Sequence, residues 1–446
     1  MPSGRQARGR AEAISLSARR PRVVIVGAGF GGLACVRALR CAPVEVTLVD
    51  RHNYHVFTPF LYQLATALLE PAEVAQPVRQ LLHRVPNAEF RMATVTGVDF
   101  ERRVVLTDRG ELPYDHLVLG AGAVNNYFGN QDIAQRSYGL NDVPEALELR
   151  NALLARFEAA SWTADAAERK RLLTFAVVGG GPTGVEFAGA FAELVHGVLA
   201  RDYPEELDMD EVQIVLVEAS EAPLATFAPG LQRAAQRALE RKRVRVLSDA
   251  EAADIDDDGL ELHGGATIPA ATVVWGAGVR AAPLADGLGL EQGSHHRLKV
   301  SDTLQVPGHP EVLAIGDLAE IPQDGQRPLP MLAQVAIQSG RHAGESIAAR
   351  ARGDQPVAFR YRNLGTMATQ GRNAAVAQIG PVKLSGMLGW LAWLLVHIVR
   401  TGGLRTRLLV LVNWAAGYLL TDRPVRLIAG PQQRAEQHDP NRDGEG

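Results

Sequence analysis

Cysteine is scarce in this chain of 446 residues, which contains only Cys35 and Cys41. Two cysteines cannot form a disulfide framework or a cysteine-based metal centre, and we expect no metal site. No run reaches the ~20 consecutive apolar residues that a membrane-spanning helix requires, which excludes simple transmembrane pumps and channels. A strong charge of either sign is also missing: the formal net charge is −4, which argues against a nucleic-acid-binding protein.

Glycine, in contrast, is abundant, with 44 residues, and two glycine-rich loops organise much of the chain. The first loop follows a β-branched run, Arg22–Val26, that we interpret as a buried strand. A helix is predicted after the loop, and a second strand, Val44–Val49, ends at Asp50, 21 residues after Gly29. Strand, Gly-x-Gly-x-x-Gly, helix, strand and acid form the dinucleotide-binding fingerprint. The loop consists of Gly27, Ala28, Gly29, Phe30, Gly31 and Gly32.

The same pattern occurs again between the predicted strands Thr174–Val178 and Val212–Val217. The acid of this second unit is Glu218, which lies 37 residues after Gly181. The longer gap indicates an insertion at 201–211, between the helix and the strand. The second loop consists of Gly179, Gly180, Gly181, Pro182, Thr183 and Gly184.

Each unit also closes with a predicted strand that ends in Gly-Ala-Gly, at Gly120–Gly122 and at Gly276–Gly278. In such units the first glycine permits a tight turn, the second lets the backbone approach a pyrophosphate, and the third lets helix and strand pack closely. The helix N-terminus then attracts the phosphates. Carboxylates at Asp50 and Glu218 would bind ribose hydroxyls and repel a 2′-phosphate, which favours NADH over NADPH. The alternative is that one of the loops is only a turn in a doubly wound sheet.

A chain with two such units most simply binds two dinucleotides, one that holds a flavin and one that delivers hydride. The pattern resembles the flavoproteins with two dinucleotide-binding domains, and in particular the type II NADH dehydrogenases. The resemblance extends over about 22–428 and implies FAD at the first loop and NADH at the second. Gly316 and Asp317 follow a predicted strand and resemble the family's Gly-Asp motif, whose Asp contacts the ribityl and phosphate region of the flavin.

The segment Ala333-Gln334-Val335-Ala336-Ile337-Gln338 resembles the Ala-Gln-x-Ala-x-Gln motif of type II NADH dehydrogenases, which lies near the flavin and the quinone. We expect Pro330 to start a helix there. Gln334 and Gln338 would share one face of that helix. Its N-terminus would stabilise the reduced flavin. The alternative is a surface helix with two solvated glutamines.

Glu186 follows the second loop, in what the sequence predicts to be the first turn of a helix. The resemblance implies a place near the quinone and a part in proton transfer for this Glu. The alternative is an acid that is favoured there only by the helix dipole. The stretch Tyr54–Ala67, with Tyr62 and Gln63, also resembles the family's flavin-contacting segment.

The two cysteines argue against disulfide reductases and sulfide:quinone reductases, which are relatives that need redox-active thiols near the flavin. Cys35 and Cys41 lie in or just after the first predicted helix, which is the wrong element. We expect both to be packing residues.

The C-terminal quarter has no Asp or Glu between Gln355 and Thr421 but has seven basic residues and three of the five Trp. Two apolar runs, Leu388–Val399 and Leu408–Leu420, are too short to span the ~30 Å hydrocarbon core of a membrane as helices. Short helices with Trp and Arg at their boundaries predict an anchor in the membrane interface that is attracted by anionic lipid. The alternative is a buried helical pair in the interface of a soluble dimer.

These interpretations predict an α/β fold with two Rossmann-like domains, the NADH domain inserted in the FAD domain, plus a membrane-associating region with short amphipathic helices. We expect disordered tails at 1–21 and 432–446. The FAD domain would consist of 22–150 and 286–352, with the NADH domain, 151–285, between its two parts. The membrane-associating region would be 353–431.

The function predicted from this is transfer of a hydride from NADH to FAD and of two electrons to a lipid quinone, either ubiquinone or menaquinone. Glu186, Gln334 and Gln338 are the candidate catalytic residues. Location is expected on the cytoplasmic face of the inner membrane, without proton pumping, and a homodimer is left open. Two other functions stay open: a soluble NADH-dependent reductase of a small acceptor or carrier protein, and a flavin-bound protein whose shape change on NADH binding signals to a partner.

Overall fold

The computed structural model describes residues 19–323, 327–401, 403–420, 423 and 425–429. The predicted tails therefore lie outside the described residues, except for 19–21. Contacts between backbone positions divide the chain into two compact units. The first unit comprises Met1–Asn53, Pro77–Ala123 and Ala281–Tyr361, and the second comprises Tyr54–Gln76, Val124–Arg280 and Arg362–Gly446.

The first unit is built on a six-stranded sheet with Arg22–Val26 near its centre. Glu45–Asp50 and His116–Leu119 pair with this strand on its two sides, both in parallel. Val23 and Ile25 of this strand are completely buried, in a core that also includes Val105 of the strand Val104–Thr107. The sheet order is Gln305–Val306, His309–Ala314, His116–Leu119, Arg22–Val26, Glu45–Asp50 and Ala88–Met92.

Two helices of the first unit, Phe30–Ala38 and Ala333–Arg350, approach each other closely. A Cβ atom on Gly340 would lie 2.0 Å from the carbonyl oxygen of Gly31, and a Cβ atom on Gly344 would lie 2.7 Å from that of Cys35. The absence of side chains at Gly340 and Gly344 therefore permits the contact. The other elements of this unit are the strands Val95–Asp99, Val104–Thr107, Gly110–Pro113, Leu298–Lys299 and Ala319–Glu320, the helix Val78–Leu82, and the single turns Pro283–Gly287, Ser294–His296 and Gly316–Leu318.

The second unit is built on a four-stranded parallel sheet with Thr174–Val178 inside it. Its order is Val244–Leu247, Gln213–Val217, Thr174–Val178 and Thr272–Trp275. Two antiparallel sheets accompany it: Ala252–Asp256 with Gly259–Leu262 and Thr267–Ile268, and Thr366–Thr369 with Ala375–Ile379 and Val382–Ser385. A further short strand is Tyr54–Val56.

The helix after the second glycine loop is Pro182–Leu194, and it continues as a π-helical turn, Val195–Leu199, and a short helix, Ala200–Asp202. The other helices of this unit are Thr58–Phe60, Leu61–Ala65, Pro71–Val74, Gln131–Arg136, Val143–Trp162, Ala166–Leu172, Pro229–Arg241, Gly386–Arg400 and Leu404–Leu420. Among the described residues, none of the helices is long and apolar enough to cross a membrane.

The chain passes between the units at five points, and three of them lie within the short strands Ala75–Pro77, Ala123–Asn125 and Val279–Ala281. The two sheets, whose central strands are parallel, and their glycine loops confirm the predicted pair of Rossmann-like folds, the second inserted in the first. The contacts group Arg362–Gly446 with Val124–Arg280, whereas the sequence predicts a separate region at 353–431. The division by function into an FAD domain and an NADH domain stays a prediction.

Candidate functional site

The first glycine loop has the shape that close approach of a phosphate requires. Gly27 has a φ of +100°, and a Cβ atom there would lie 2.2 Å from the carbonyl oxygen of Gly120. A Cβ atom on Gly32 would lie 1.9 Å from the carbonyl oxygen of Gly27, so this glycine permits the contact of helix and strand. At Gly29, in contrast, a Cβ atom would meet no atom within 4 Å. The space in front of Gly29 is therefore open to a ligand.

The second loop repeats this geometry residue by residue. Gly179 has a φ of +102° and lies against the carbonyl of Gly276, which a Cβ atom would approach to 2.5 Å. A Cβ atom on Gly184 would lie 2.0 Å from the carbonyl oxygen of Gly179, whereas at Gly181 the space is open. Pro182 begins the helix in its first position, where a missing N–H costs no hydrogen bond. Thr183 follows it in the same first turn.

The acid at the end of the second strand supports its own loop in each unit. Asp50 accepts hydrogen bonds from the backbone N–H groups of Ala28 and His52, both at 2.7 Å. Glu218 accepts hydrogen bonds from Gly180 at 2.5 Å and from Ser220 at 2.7 Å. A carboxylate therefore lies next to each open space, on the side where the fingerprint places the ribose.

Asp317 lies on a tight turn of the first unit whose preceding residue, Gly316, has a φ of +61°. The N–H of Gly316 donates to Ser339 Oγ at 3.1 Å, which ties the turn to the helix Ala333–Arg350. Burial raises the pKa of Asp317 to about 6, and the nearby Arg297 opposes this increase. Its Oδ1 atom is buried and makes no hydrogen bond within the described part of the chain. A ribityl hydroxyl of FAD is a donor that this atom fits.

The closing glycines also lie where the fingerprint predicts them. Gly122 has a φ of +75° and open space around its missing Cβ, and Gly278 has a φ of +138°. Gly276 follows its strand directly and donates its N–H to the carbonyl of Val178 at 2.8 Å. The two loops, the two acids and Asp317 together fit one FAD in the first unit and one nicotinamide dinucleotide in the second.

The helix with the two glutamines begins at Ala333, so the prediction that Pro330 starts it is wrong. Pro330 lies in the extended segment before the helix, and the backbone turns helical only after Leu332. Gln334 and Gln338 are half-buried residues of its first turns, in the first unit. Gln338 lines a cleft of about 500 Å³ together with Arg341.

Glu186 is the fifth residue of the helix Pro182–Leu194 and belongs to the second unit. The expectation that it lies in the first turn is wrong, because the helix starts three residues earlier than predicted. The dipole effect is confined to the first turn, so this explanation of Glu186 loses its basis. Glu186 is only 9% exposed, and its burial raises the pKa to about 8, with opposition from the Thr369 N–H and the Trp393 indole.

Thr369 and Trp393 also line a cavity of about 400 Å³ inside the second unit, which we call the apolar cavity. Most of its wall is aromatic or aliphatic, supplied by Tyr62, Leu68, Trp390, Trp393, Leu394, Leu411, Trp414, Ala415, Tyr418 and Leu419. Glu186 lies behind this wall, where it accepts a hydrogen bond from the backbone N–H of Thr369. A ligand in the apolar cavity would be a flat or hydrophobic molecule with few polar groups.

Two charged residues at the edge of the apolar cavity, Glu193 and Arg423, were not predicted from the sequence as site residues. Glu193 forms an ion pair with Lys242 at 2.6 Å and lies 3.5 Å from Arg423. Arg423 is 4% exposed and donates to the carbonyl oxygen of Thr66 at 2.6 Å. The signal available in the sequence was the spacing of Glu186 and Glu193, which places both on one face of the helix.

The C-terminal helices are fixed to the segment Tyr54–Gln76 within the second unit. The indole N–H of Trp414 donates to Gln63 Oε1 at 2.8 Å, and the side chain of Asn413 donates to Glu73. Trp393 stacks on His397 with ring centroids 4.1 Å apart. The segment with Tyr62 and Gln63, which the resemblance places at the flavin, therefore contributes to the wall of the apolar cavity.

The cysteines differ from each other. Cys35 is buried in the helix Phe30–Ala38, and this burial raises the pKa of its thiol. Cys41 is exposed, so the expectation that it is a packing residue is wrong. It lies in the turn beyond the helix.

Two glycine-loop units with paired acids define the class of oxidoreductases that bind two dinucleotides. A model of the pyridine nucleotide-disulphide oxidoreductase family matches residues 21–340. Type II NADH:quinone oxidoreductase NdhA of Mycobacterium tuberculosis is 38% identical, with 90% of this chain and 87% of that protein covered. Type II NADH:quinone oxidoreductase Ndh of the same organism is 36% identical over 93% of this chain and 91% of its own.

The structure of NDH2 from Plasmodium falciparum in complex with NADH is similar in fold, with a TM-score of 0.85 at 20% identity. The match covers 92% of this chain and 100% of that chain. The chain belongs to the pyridine nucleotide-disulphide oxidoreductase family and, within it, to the type II NADH:quinone oxidoreductases. The family resemblance and the fold class predicted from the sequence are thereby confirmed.

Proposed function

We propose that this protein oxidises NADH and reduces a lipid quinone at a membrane surface, without pumping protons. The observation that carries the proposal is the apolar cavity, because its aromatic wall suits a flat quinone ring and its exposed rim suits a lipid tail. Leu411 and Leu419 line the cavity and are 45% and 77% exposed. A quinone would therefore enter from an apolar phase rather than from water.

The residues of the two loops divide the binding of the cofactors. Gly27, Gly29, Gly32, Asp50 and Asp317 hold FAD, and Gly179, Gly181, Gly184 and Glu218 hold NADH. FAD, when bound, supplies the two-electron relay that accepts hydride from NADH and reduces the quinone. The carboxylate of Glu218 selects NADH because it repels the 2′-phosphate of NADPH.

The overall reaction consumes one proton from solvent for each NADH, since NADH, one H⁺ and the quinone yield NAD⁺ and the quinol. Glu186 holds a proton at neutral pH because burial raises its pKa to about 8. It lies behind Thr369 and Trp393, so its carboxyl group is close enough to the apolar cavity to supply a proton for reduction of the quinone. We call this role the proton reserve. Gln334 and Gln338 are proposed, on the family motif alone, to contact the flavin or the quinone.

The exposed faces of the C-terminal helices support association with a membrane surface. On the helix Gly386–Arg400, Leu388, Leu391, Leu395 and Val399 form one exposed stripe at helical spacing. On the helix Leu404–Leu420, the exposed apolar residues are Leu408, Leu409, Leu411, Val412, Tyr418 and Leu419. Such faces bind at the boundary of headgroups and acyl chains. We place the protein on the cytoplasmic face of the inner membrane, with ubiquinone or menaquinone as acceptor.

Stopped-flow absorbance of the flavin tests this function in two separate steps. The holoenzyme is mixed anaerobically with NADH and then with a short-chain quinone. Ala415→Phe adds a ring at a position that lines the apolar cavity. Val412→Phe adds the same ring to the same helix at a position that is 62% exposed and outside the cavity.

We expect NADH to bleach the flavin equally fast in all three proteins. Quinone should restore the absorbance rapidly in the wild type and in Val412→Phe, and at least about tenfold more slowly in Ala415→Phe. Bleaching without recovery in the wild type would contradict quinone reduction and favour a soluble reductase of another acceptor. Equal recovery in both variants would show that the quinone binds elsewhere.

A further inference from the structure

A second cavity of the second unit has a different character and is not used by the proposed reaction. It has a volume of about 450 Å³. Four cationic side chains line it, and one carboxylate, Glu193, accompanies them. We call it the basic cleft; its lining residues are Ala192, Glu193, His196, Gly197, Arg241, Lys242, Arg243, Arg372 and Asn373.

The positive charge of the basic cleft is only partly compensated. Lys242 pairs with Glu193 at 2.6 Å, and Arg243 pairs with Asp210. Within the part of the chain that the structure describes, Arg241 and Arg372 have no carboxylate at salt-bridge distance. The cleft therefore has an excess of positive charge, which favours an anionic ligand.

His196 supplies an independent indication of a ligand. It lies in the π-helical turn Val195–Leu199, an irregularity that proteins frequently retain at functional sites. The turn brings both His196 and Gly197 to the wall of the basic cleft. The Nε2 atom of His196 is buried, and no described residue forms a hydrogen bond with it. Burial and the nearby Arg243 lower the pKa of this imidazole, so at neutral pH it is an uncharged donor for an anionic oxygen.

The basic cleft adjoins the apolar cavity, since Glu193 and Arg372 line both. The guanidinium of Arg372 lies 5.9 Å from the ring centre of Tyr418 and donates to the carbonyl oxygen of Tyr418 at 3.2 Å. Tyr418 and Leu419 are exposed at the end of the last helix. Cationic and apolar surfaces thus meet at this helix end, in the arrangement that a molecule with an anionic head and an apolar tail would fit.

We propose that the basic cleft binds the phosphate group of an anionic phospholipid, whose acyl chains lie on the exposed apolar surface at Tyr418 and Leu419. Arg241, Arg372 and His196 would bind the phosphate oxygens. The bound lipid would hold the protein with the rim of the apolar cavity at the depth of the acyl chains. This inference rests on the proposed association with a membrane surface and does not depend on quinone reduction.

Calorimetric titration of the holoenzyme with short-chain lipids tests the site. The probes are dihexanoyl phosphatidylglycerol, dihexanoyl phosphatidylcholine and inorganic phosphate. The cleft variant is Arg241→Gln with Arg372→Gln. Its matched control is Arg233→Gln with Arg237→Gln, which removes the same charge from exposed positions of the helix Pro229–Arg241 that do not line the cleft. His196→Gln is a second cleft variant that leaves the net charge at neutral pH unchanged.

We expect the wild type to bind the phosphatidylglycerol at least about tenfold more tightly than the phosphatidylcholine. The cleft double variant should lose about tenfold or more in affinity and the control double variant about twofold or less. His196→Gln should also weaken binding. Equal losses in the two double variants would overturn the site and leave only diffuse surface charge.

Two other results would also overturn the proposal. Inorganic phosphate that binds as tightly as the lipid would identify a site for free phosphate. If the two lipids bind with equal affinity, or if neither binds, the cleft is not a site for an anionic lipid. Rapid reoxidation of the flavin by a short-chain quinone in the same preparation would then show that the proposed reaction stands although the lipid site does not.

Discussion

Glu186 and Thr369 lie 183 positions apart in the sequence and are joined by a hydrogen bond, in which the N–H of Thr369 donates to Glu186 Oε1 at 3.1 Å. One donor does not compensate for the removal of a carboxylate from water. Burial therefore raises the pKa of Glu186 to about 8. The protonated form dominates at neutral pH, immediately behind the wall of the apolar cavity.

The first prediction concerns the pH dependence of quinone reduction. If Glu186 is the proton reserve, the rate of flavin reoxidation by quinone should fall as the pH rises through about 8, because the proton is then lost. Glu186→Gln should reoxidise at least about tenfold more slowly at pH 7 and show no such fall. Flavin reduction by NADH should be unchanged, and both steps are followed by stopped-flow absorbance. A wild-type pH profile retained in Glu186→Gln would assign the titration to another group.

The second prediction concerns stability. Glu186 has a pKa of about 8 in the folded chain against the ordinary value of 4.5, so between these values only the folded state holds the proton. The free energy of unfolding should therefore fall by roughly 1.4 kcal/mol per pH unit across this range from Glu186 alone. Glu186→Gln should lack this slope, so its free energy of unfolding should rise relative to that of the wild type from pH 5 to pH 8. Urea unfolding measures the difference, and the exposed Glu221→Gln should run parallel to the wild type.

The third prediction separates binding from folding at two glycines of one loop. Gly181 faces open space with an ordinary φ of −68°, so Gly181→Ala should fold normally. Its methyl group would occupy the place of the pyrophosphate and weaken NADH binding by about tenfold or more. Gly184→Ala, in contrast, should lose about 1–3 kcal/mol or more of stability because its Cβ would meet the carbonyl of Gly179. If Gly181→Ala folds and its affinity for NADH is unchanged, the second loop does not bind the pyrophosphate of NADH.

The fourth prediction concerns the choice between NADH and NADPH. Glu218→Gln keeps an oxygen that can accept the N–H of Gly180 but removes the negative charge. The ratio of kcat/KM for NADH to that for NADPH should fall by about tenfold. Steady-state kinetics with both nucleotides measure this ratio. Glu221→Gln makes the same change at a neighbouring exposed site, and a similar fall there would point to overall charge rather than contact with the ribose.

The fifth prediction concerns how the last helix is held. Trp414→Phe keeps an aromatic ring but removes the N–H that Gln63 Oε1 accepts, and Gln63 is only 2% exposed. The loss of this donor should cost about 1–3 kcal/mol in the free energy of unfolding. Trp162→Phe, at a side chain that is 90% exposed, should cost little. Denaturant titrations compare the two, and equal stability would show that Gln63 finds another donor.

The sequence predicted best the features that neighbouring residues determine. The strand Arg22–Val26, the loop glycines and the placement of Asp50 and Glu218 at strand ends follow from short-range patterns, and the structure has them all. The predicted start of the helix that contains Gln334 and Gln338 was wrong. Proline is favoured at the first position of a helix, but this preference does not require a helix to begin at every proline. Here the chain stays extended through Leu332.

The environment of Glu186 was outside the reach of such patterns. Its pKa depends on Thr369 and Trp393, which approach only when the antiparallel sheet that contains Thr366–Thr369 and the helix Gly386–Arg400 pack in the second unit. The same holds for Gln63 and Trp414, which are 351 positions apart. The hydrophobic pattern of a segment predicts which of its residues are buried, but it does not identify the distant segment that packs against them.

The hydrogen bonds by which Asp50 and Glu218 hold Ala28 and Gly180 have a kinetic consequence. Because each carboxylate accepts a hydrogen bond from a backbone N–H of its own loop, the protein itself supplies these contacts, and part of the entropy of shaping the loop is lost during folding. Nucleotides should then associate at rates set by diffusion and orientation, without a slow loop closure. Exchange of NAD⁺ for NADH would be correspondingly quick, which suits an enzyme that must release one nucleotide and admit the next in every turnover.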